Sequence, residues 1–227
     1  MDLIRRALAE AIGTFTLVFA GCGAVVVNAQ TDGALGHLGV VLAFALAITV
    51  MIFAVGHVSG GHFNPAVTLG FVVNRHLAIV DAVVYWVAQV AGAVLAAMMV
   101  KAAIGSEAHI GVTMPSGSNG QAFVVEMILT AFLVFVIMAV ATDTRAFGQA
   151  AALAIGGTIA LDGLFGGPIT GASMNPARSF GPALIDGTFD ALWIYLAAPA
   201  AGGIIGALLY AFIGGEHAAS KRAHMSA

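Results

Sequence analysis

Long apolar stretches without Asp, Glu, Lys or Arg recur along the chain and predict its secondary structure. A helix needs about 20 mostly apolar residues to cross a bilayer, whereas the strands of a membrane barrel have about 10 residues of alternating polarity. These stretches are long and do not alternate, so we interpret them as helices. The fourth is expected to begin near Gln121 and to include Glu126. Six transmembrane spans are predicted, at residues 11–31, 33–62, 82–100, 127–142, 146–161 and 191–215.

Two further apolar segments, 58–74 and 163–185, are interrupted by proline and are too short to span a bilayer. Asparagine is a favoured helix N-cap and proline a favoured first helical residue, so each segment is predicted to be a loop that turns into a short half-helix. Irregular backbone at membrane depth is tolerated only where it lines a cavity or is buried in protein. The motif Asn-Pro-Ala occurs in both segments, at Asn64, Pro65 and Ala66 and at Asn175, Pro176 and Ala177.

The two halves of the chain resemble each other, which indicates an internal duplication. Residues 10–19 share six of ten identities with residues 126–135, and the two Asn-Pro-Ala motifs match at nearly the same offset. Each half has three spans, an odd number, so the second half must be inverted relative to the first. We therefore expect a single domain over 1–227, with repeats at 1–105 and 121–227. Inverted repeats place their functional site near the bilayer midplane, where broken helices meet.

Composition supports a membrane protein and excludes several other classes. Of the 227 residues, 60% are hydrophobic and 8% are charged, against about a quarter charged in a soluble domain. The net charge of −3 argues against a nucleic-acid partner. A single cysteine excludes a disulfide framework, and no metal, cofactor or enzymatic activity is expected.

Both termini are predicted to be cytoplasmic, because that orientation puts most of the cations inside. These cations are Arg5, Arg6, Arg75, Arg145, Lys221 and Arg222.

The two Asn-Pro-Ala segments, 59–68 and 171–183, resemble those of the aquaporin, or major intrinsic protein, family. Residues 171–179 and 193–196 are similar to the nodulin-26-like subgroup. The resemblance covers nearly the whole chain and implies an all-α fold with six transmembrane helices and two re-entrant half-helices. It also implies a homotetramer in the cell membrane. The implied function is a passive channel for water and small neutral solutes.

Two half-helices that meet at their N-termini place positive dipole ends at the centre of the membrane. Asn64 and Asn175 would add amide donors that face the lumen, so that neutral hydroxylated molecules pass while protons and ions are excluded. The extended segments that lead into the half-helices would supply a ladder of backbone carbonyl acceptors, as in the family. These segments comprise Gly60, Gly61, His62 and Phe63 in the first half and Gly171, Ala172, Ser173 and Met174 in the second.

Glu10 and Glu126 are carboxylates inside predicted spans, where an unpaired charge is unfavourable. Their symmetric placement favours a structural role in which each accepts N–H bonds from its re-entrant loop. A proton-relay role is the alternative, and it would make the protein a proton-coupled transporter.

Arg178 follows the second motif and should face the lumen, because a cation facing lipid is unfavourable. The resemblance places it in a selectivity constriction with Phe44, Gly163 and Ala172. Water-only channels of the family usually have histidine at the position of Gly163, so this constriction should be wider and pass glycerol, urea or metalloid hydroxides such as arsenite.

Several other residues leave the interpretation open. Ser179 and Ala183 resemble the water-channel type, so a strictly water-selective aquaporin is the alternative. Asp162 could line the outer mouth, pair with Arg178, or lie at a helix end at the level of the lipid headgroups. His37 is expected to be a solvated loop residue.

Overall fold

In the part of the chain that the structure describes, six long apolar helices cross the molecule, and two half-helices lie between them. The computed structural model describes residues 2–142 and 150–214. Each of the six long helices is long and apolar enough to cross a membrane. The long helices are α1 (Leu3–Gln30), α2 (Gly36–Ser59), α4 (Ile79–Ala103), α5 (Asn119–Thr142), α6 (Ala151–Thr170) and α8 (Leu192–Gly214), and the half-helices are α3 (Pro65–Val73) and α7 (Pro176–Asp186).

The predicted fold class is confirmed. The helix that begins nearest its predicted start is α8, whereas α1 begins well before residue 11 and includes both Arg5 and Arg6. Within the described ranges no strand is found. Parts of the predicted repeats, including Arg145, Lys221 and Arg222, lie outside the described residues.

Both half-helices begin immediately after the asparagine of an Asn-Pro-Ala motif, as the sequence predicts. Asn64 has extended backbone and its side chain accepts a hydrogen bond from the N–H of Ala66. Asn175 likewise accepts hydrogen bonds from the N–H groups of Ala177 and Arg178. Each asparagine therefore satisfies donors that the first turn of a helix leaves unpaired, which fixes where the helix starts.

The fifth span was predicted to end at residue 161, and this prediction is wrong. The helix α6 continues through Gly163 and Pro168 and ends only at Thr170, where Gly171 adopts the left-handed conformation. Proline removes one backbone N–H, yet membrane helices tolerate it when a neighbouring group satisfies the freed carbonyl. The re-entrant loop of the second half is consequently shorter than predicted and contains only the residues between Thr170 and Pro176.

Glycines let the helices of each half approach each other closely. A Cβ at Gly92 of α4 would collide with the backbone of α1 at Ala11, and a Cβ at Gly202 of α8 would collide with the backbone of α5 at Met127. Small residues at such crossings are typical of membrane helices, where packing rather than the hydrophobic effect holds the helices together. The matching positions of these two glycines make the α1–α4 and α5–α8 contacts alike.

We call the side of the molecule where α1 begins the first face and the side where α1 ends the second face. Both half-helices start at the centre, and α3 returns to the first face while α7 returns to the second.

Large apolar side chains such as Leu46, Val87 and Phe212 remain exposed on the outer surface of the helices. Lipid is the solvent that suits such a surface, and the protein is a multi-pass membrane protein.

Candidate functional site

Glu10 anchors the loop of the first half. Its Oε1 accepts hydrogen bonds from Ser59 Oγ at 2.6 Å and from the N–H of His62 at 3.0 Å. Its Oε2 accepts from the N–H of Phe63 at 2.6 Å and from Gln89 Nε2 at 2.8 Å. The carboxylate is fully buried. Four donors on one buried carboxylate offset much of the free energy lost when it leaves water.

Glu126 makes the equivalent arrangement in the second half. Its Oε1 accepts from Thr170 Oγ1 at 2.7 Å and from the N–H of Ser173 at 2.8 Å, and its Oε2 accepts from the N–H of Met174 at 2.8 Å. Both glutamates thus bind two successive backbone N–H groups of a re-entrant loop.

The loops that carry these N–H groups are not extended, and that prediction is wrong. Gly60 and Gly61 have φ of 95° and 67°, and Phe63 has φ of 49°. In the second loop, Ala172 and Met174 have φ of 43° and 51°. Left-handed residues turn successive N–H groups toward one side and form an anion-binding concavity. The strain of non-glycine residues in this region is balanced by the bonds to the buried carboxylates.

The two Asn-Pro-Ala loops bind each other across the centre of the molecule. Asn64 Nδ2 donates to the carbonyl of Met174 at 2.7 Å, and Asn175 Nδ2 donates to the carbonyl of Phe63 at 3.0 Å. An amide nitrogen has two hydrogens, so each asparagine keeps a second N–H that these bonds do not use. Both asparagines also line the central cavity.

The central cavity has a volume of about 370 Å³ and extends along the axis of the molecule. Near the second face it is lined by Asn28 and His37, and toward the first face by Ile52. Of the eight loop residues predicted to supply carbonyls, Gly60 and Phe63 are absent from the lining. The other six line it, namely Gly61, His62, Gly171, Ala172, Ser173 and Met174.

The four residues assigned to a constriction all line this cavity. The guanidinium carbon of Arg178 lies 4.9 Å from the centre of the Phe44 ring, within the range of a cation–π contact. Gly163 and Ala172 contribute no polar side chain. Charge and hydrogen-bond donors therefore come from Arg178, and an aromatic wall comes from Phe44.

A backbone carbonyl that the sequence analysis missed holds Arg178 in place. Arg178 Nη1 donates to the carbonyl of Gly111 at 2.7 Å. Gly111 ends the short turn Glu107–Gly111, in which Ala108, His109 and Ile110 all have left-handed backbone. Because no local sequence pattern specifies this conformation at three consecutive non-glycine residues, the anchor could not be predicted.

Two tyrosines that the sequence analysis also missed support the loops. Tyr85 Oη donates to the carbonyl of Ser59 at 2.6 Å, and Tyr195 Oη donates to the carbonyl of Thr170 at 2.7 Å. Both tyrosines are completely buried. The offset between them equals that between Gly92 and Gly202, so the internal repeat is the signal that would have identified them.

Asp162 and His37 lie in places that the sequence analysis did not foresee. Asp162 is fully buried within α6 and lies neither at a helix end nor on the cavity. Among the described residues its carboxylate has no hydrogen-bonding partner, so it does not pair with Arg178. His37 belongs to the first turn of α2 rather than to a loop, and its side chain contacts α6.

In the described part of the chain, six long helices enclose a largely apolar cavity, to which the two re-entrant loops and Arg178 add polar groups. This arrangement defines a membrane channel. The chain belongs to the major intrinsic protein family, whose sequence profile matches residues 1–210. Proteins of this family are passive channels for water and small solutes and are not enzymes, and the same holds for this chain.

Similar proteins include plant and parasite members of the family. Nodulin-26 of Glycine max is 46% identical over 211 residues, which cover 92% of this chain and 78% of that protein. Aquaporin NIP1-1 of Oryza sativa subsp. japonica is 48% identical over 214 residues, 94% of this chain and 75% of that protein. The X-ray structure of the aquaglyceroporin from Plasmodium falciparum superposes with a TM-score of 0.82 at 27% identity, covering 92% of this chain and 96% of that one.

Proposed function

We propose that the channel passes glycerol, urea and metalloid hydroxides such as arsenite in addition to water, and that it excludes protons and ions. The observation that carries the proposal is the composition of the constriction. Two of its four positions, Gly163 and Ala172, have no side chain beyond a methyl group, and all four line one cavity.

The remaining two positions suit a solute with one polar and one apolar side. Arg178 presents a fixed fork of N–H donors, and Phe44 presents an apolar ring 4.9 Å from the guanidinium carbon. A polyol can direct its hydroxyl oxygens to the donors while its carbon backbone lies on the ring. Pore diameter and the hydrogen-bonding groups along the wall determine selectivity in such channels, and both favour small hydroxylated molecules here.

Exclusion of cations follows from the charges along the path. The N-termini of α3 and α7 point toward the centre, and each carries roughly half a positive charge. Arg178 adds a full positive charge. Cations meet a repulsive potential, and a central water that accepts hydrogen bonds from Asn64 and Asn175 is a poor relay for protons.

Vesicles that contain the protein should therefore show rapid water flow without rapid proton equilibration. The measurement compares osmotic shrinkage with the response of a pH-sensitive dye trapped inside the same vesicles. Proton equilibration that accelerates together with water flow would refute the electrostatic argument.

We further propose that the protein forms a homotetramer in the cell membrane with both termini in the cytoplasm. The family suggests the tetramer. The orientation is supported by Arg5, Arg6 and Arg75, which lie at or beyond helix ends on the first face. Cytoplasmic segments of membrane proteins are enriched in such residues.

Swelling of proteoliposomes in gradients of glycerol, urea and arsenite, compared with water flow in the same vesicles, tests the solute range. We expect permeation by all three above the rate of protein-free vesicles. Passage of water alone would instead support the strictly water-selective alternative. Solute flux driven by a pH gradient would instead support the alternative that the protein is a proton-coupled transporter.

A further inference from the structure

His37 lines the cavity at its second-face end and is hydrogen-bonded to α6. Its Nε2 is 3.0 Å from the carbonyl oxygen of Leu164 and 3.1 Å from that of Gly163. Carbonyl oxygens only accept, so Nε2 carries a hydrogen and donates. The other ring nitrogen, Nδ1, takes no part in these two bonds, and the ring belongs to the lining of the cavity.

The sequence of α6 explains why a histidine binds there. In a regular helix the carbonyl of Leu164 would accept from the N–H of residue 168, but Pro168 has no N–H and its ring crowds that carbonyl. The carbonyl of Leu164 is thus left without its helical partner. His37 supplies the missing donor from a neighbouring helix, which is how a membrane helix tolerates an internal proline.

Two further features fix the position of the ring. Gly167 has no side chain, and a Cβ built there would lie 2.5 Å from His37 Cε1. The start of α2 is held by α1, because the N–H of Gly36 donates to Asn28 Oδ1 at 2.8 Å. The backbone of His37 is therefore anchored on one side and its imidazole on the other.

We infer that His37 is a specificity-determining residue, which narrows the second-face mouth beside Gly163 and presents an imidazole to each entering solute. This inference rests on the proposed function, because it concerns which solutes reach the constriction. The imidazole occupies part of the space next to the position where Gly163 supplies no side chain. A neutral ring that donates through Nε2 has an acceptor at Nδ1, so solutes with hydroxyl donors find an acceptor here before they meet the donors of Arg178.

The test is the ratio of glycerol to water permeability in proteoliposomes. In His37→Ala the mouth is wider, and the ratio should rise by about threefold or more, because pore width governs the larger solute more strongly than water. His37→Gln retains an N–H donor of similar reach and should stay within about twofold of wild type. His57→Ala, an exposed histidine of the same helix outside the cavity lining, is the matched control and should leave the ratio unchanged.

Pro168→Ala tests the anchor itself. Alanine restores an N–H at residue 168, so the carbonyl of Leu164 regains its helical hydrogen bond. That carbonyl then no longer needs the hydrogen bond from His37, and the imidazole is held less firmly. The ratio should rise in Pro168→Ala, and adding His37→Ala in that background should change it less than in wild type. Strictly multiplicative effects of the two substitutions would overturn the anchor.

An unchanged ratio in His37→Ala, with water permeability like that of the control, would overturn the assignment of His37. Wild-type vesicles that pass water but no glycerol would refute the proposed solute range separately. In that case the assignment of His37 is still decided, because glycerol permeation that appears in His37→Ala supports it and continued exclusion refutes it.

Discussion

Gly163→His should lower the ratio of glycerol to water permeability by at least about tenfold, which corresponds to roughly 1.4 kcal/mol in the barrier for glycerol. A Cβ at Gly163 would lie 3.1 Å from Val41 Cγ1, so the side toward α2 is already filled. We expect the added imidazole to turn into the cavity, which Gly163 lines together with Phe44. Water is small and can bond to the ring, so its flow should persist, while the carbon backbone of glycerol clashes with it.

Gly157→His is the matched control for this measurement. Gly157 lies in the same helix six residues earlier, and a Cβ there meets nothing within 4 Å. The control variant should keep the wild-type ratio. Equal ratios in wild type and Gly163→His would mean that the side chain at 163 does not enter the pathway, and the assignment of the constriction would be wrong.

Glu10→Gln and Glu126→Gln should each reduce the yield of folded protein and lower the thermal unfolding midpoint in detergent. In each glutamate both carboxylate oxygens accept a loop N–H, and glutamine replaces one of these oxygens by an NH₂ donor. At least one loop N–H therefore faces a donor and loses its hydrogen bond. A buried donor left unsatisfied costs about 1–3 kcal/mol. Glu10 accepts four hydrogen bonds and Glu126 accepts three, so we expect the larger loss for Glu10→Gln.

Glu107→Gln serves as the comparison, because Glu107 is an exposed carboxylate whose substitution should leave yield and midpoint close to wild type. Normal yield of Glu10→Gln combined with lost transport would contradict the structural role. It would point instead to a carboxylate that takes part in transport.

Much of the fold could be predicted from the sequence because the bilayer imposes simple rules. Stretches of about 20 residues without charge must be helices, since no other open structure satisfies the backbone in lipid. The start of each half-helix was also predictable, because the cap formed by Asn64 or Asn175 and the following proline is a local interaction. Such features depend only on neighbouring residues.

The features that could not be predicted depend on residues far apart in the chain. The end of α6 was placed too early because Asp162 ends the uncharged stretch and Pro168 was expected to break any helix beyond it. The helix continues because His37, distant in sequence, supplies the donor that Pro168 lacks. The backbone of the re-entrant loops was taken as extended, although binding to Glu10 and Glu126 holds it in the left-handed region. The carbonyl of Gly111 that binds Arg178 comes from a turn with no sequence signature.

The crossed bonds between the two asparagine loops have a consequence for biosynthesis. The carbonyl of Phe63 receives its donor from Asn175, which is 112 residues further along the chain. At about 5–20 residues per second of synthesis, the ribosome needs about 6–22 seconds to supply that donor. The loop of the first half therefore lacks this hydrogen bond while the second half is still being synthesised. The bonds between the two loops can form only after the second half has been made.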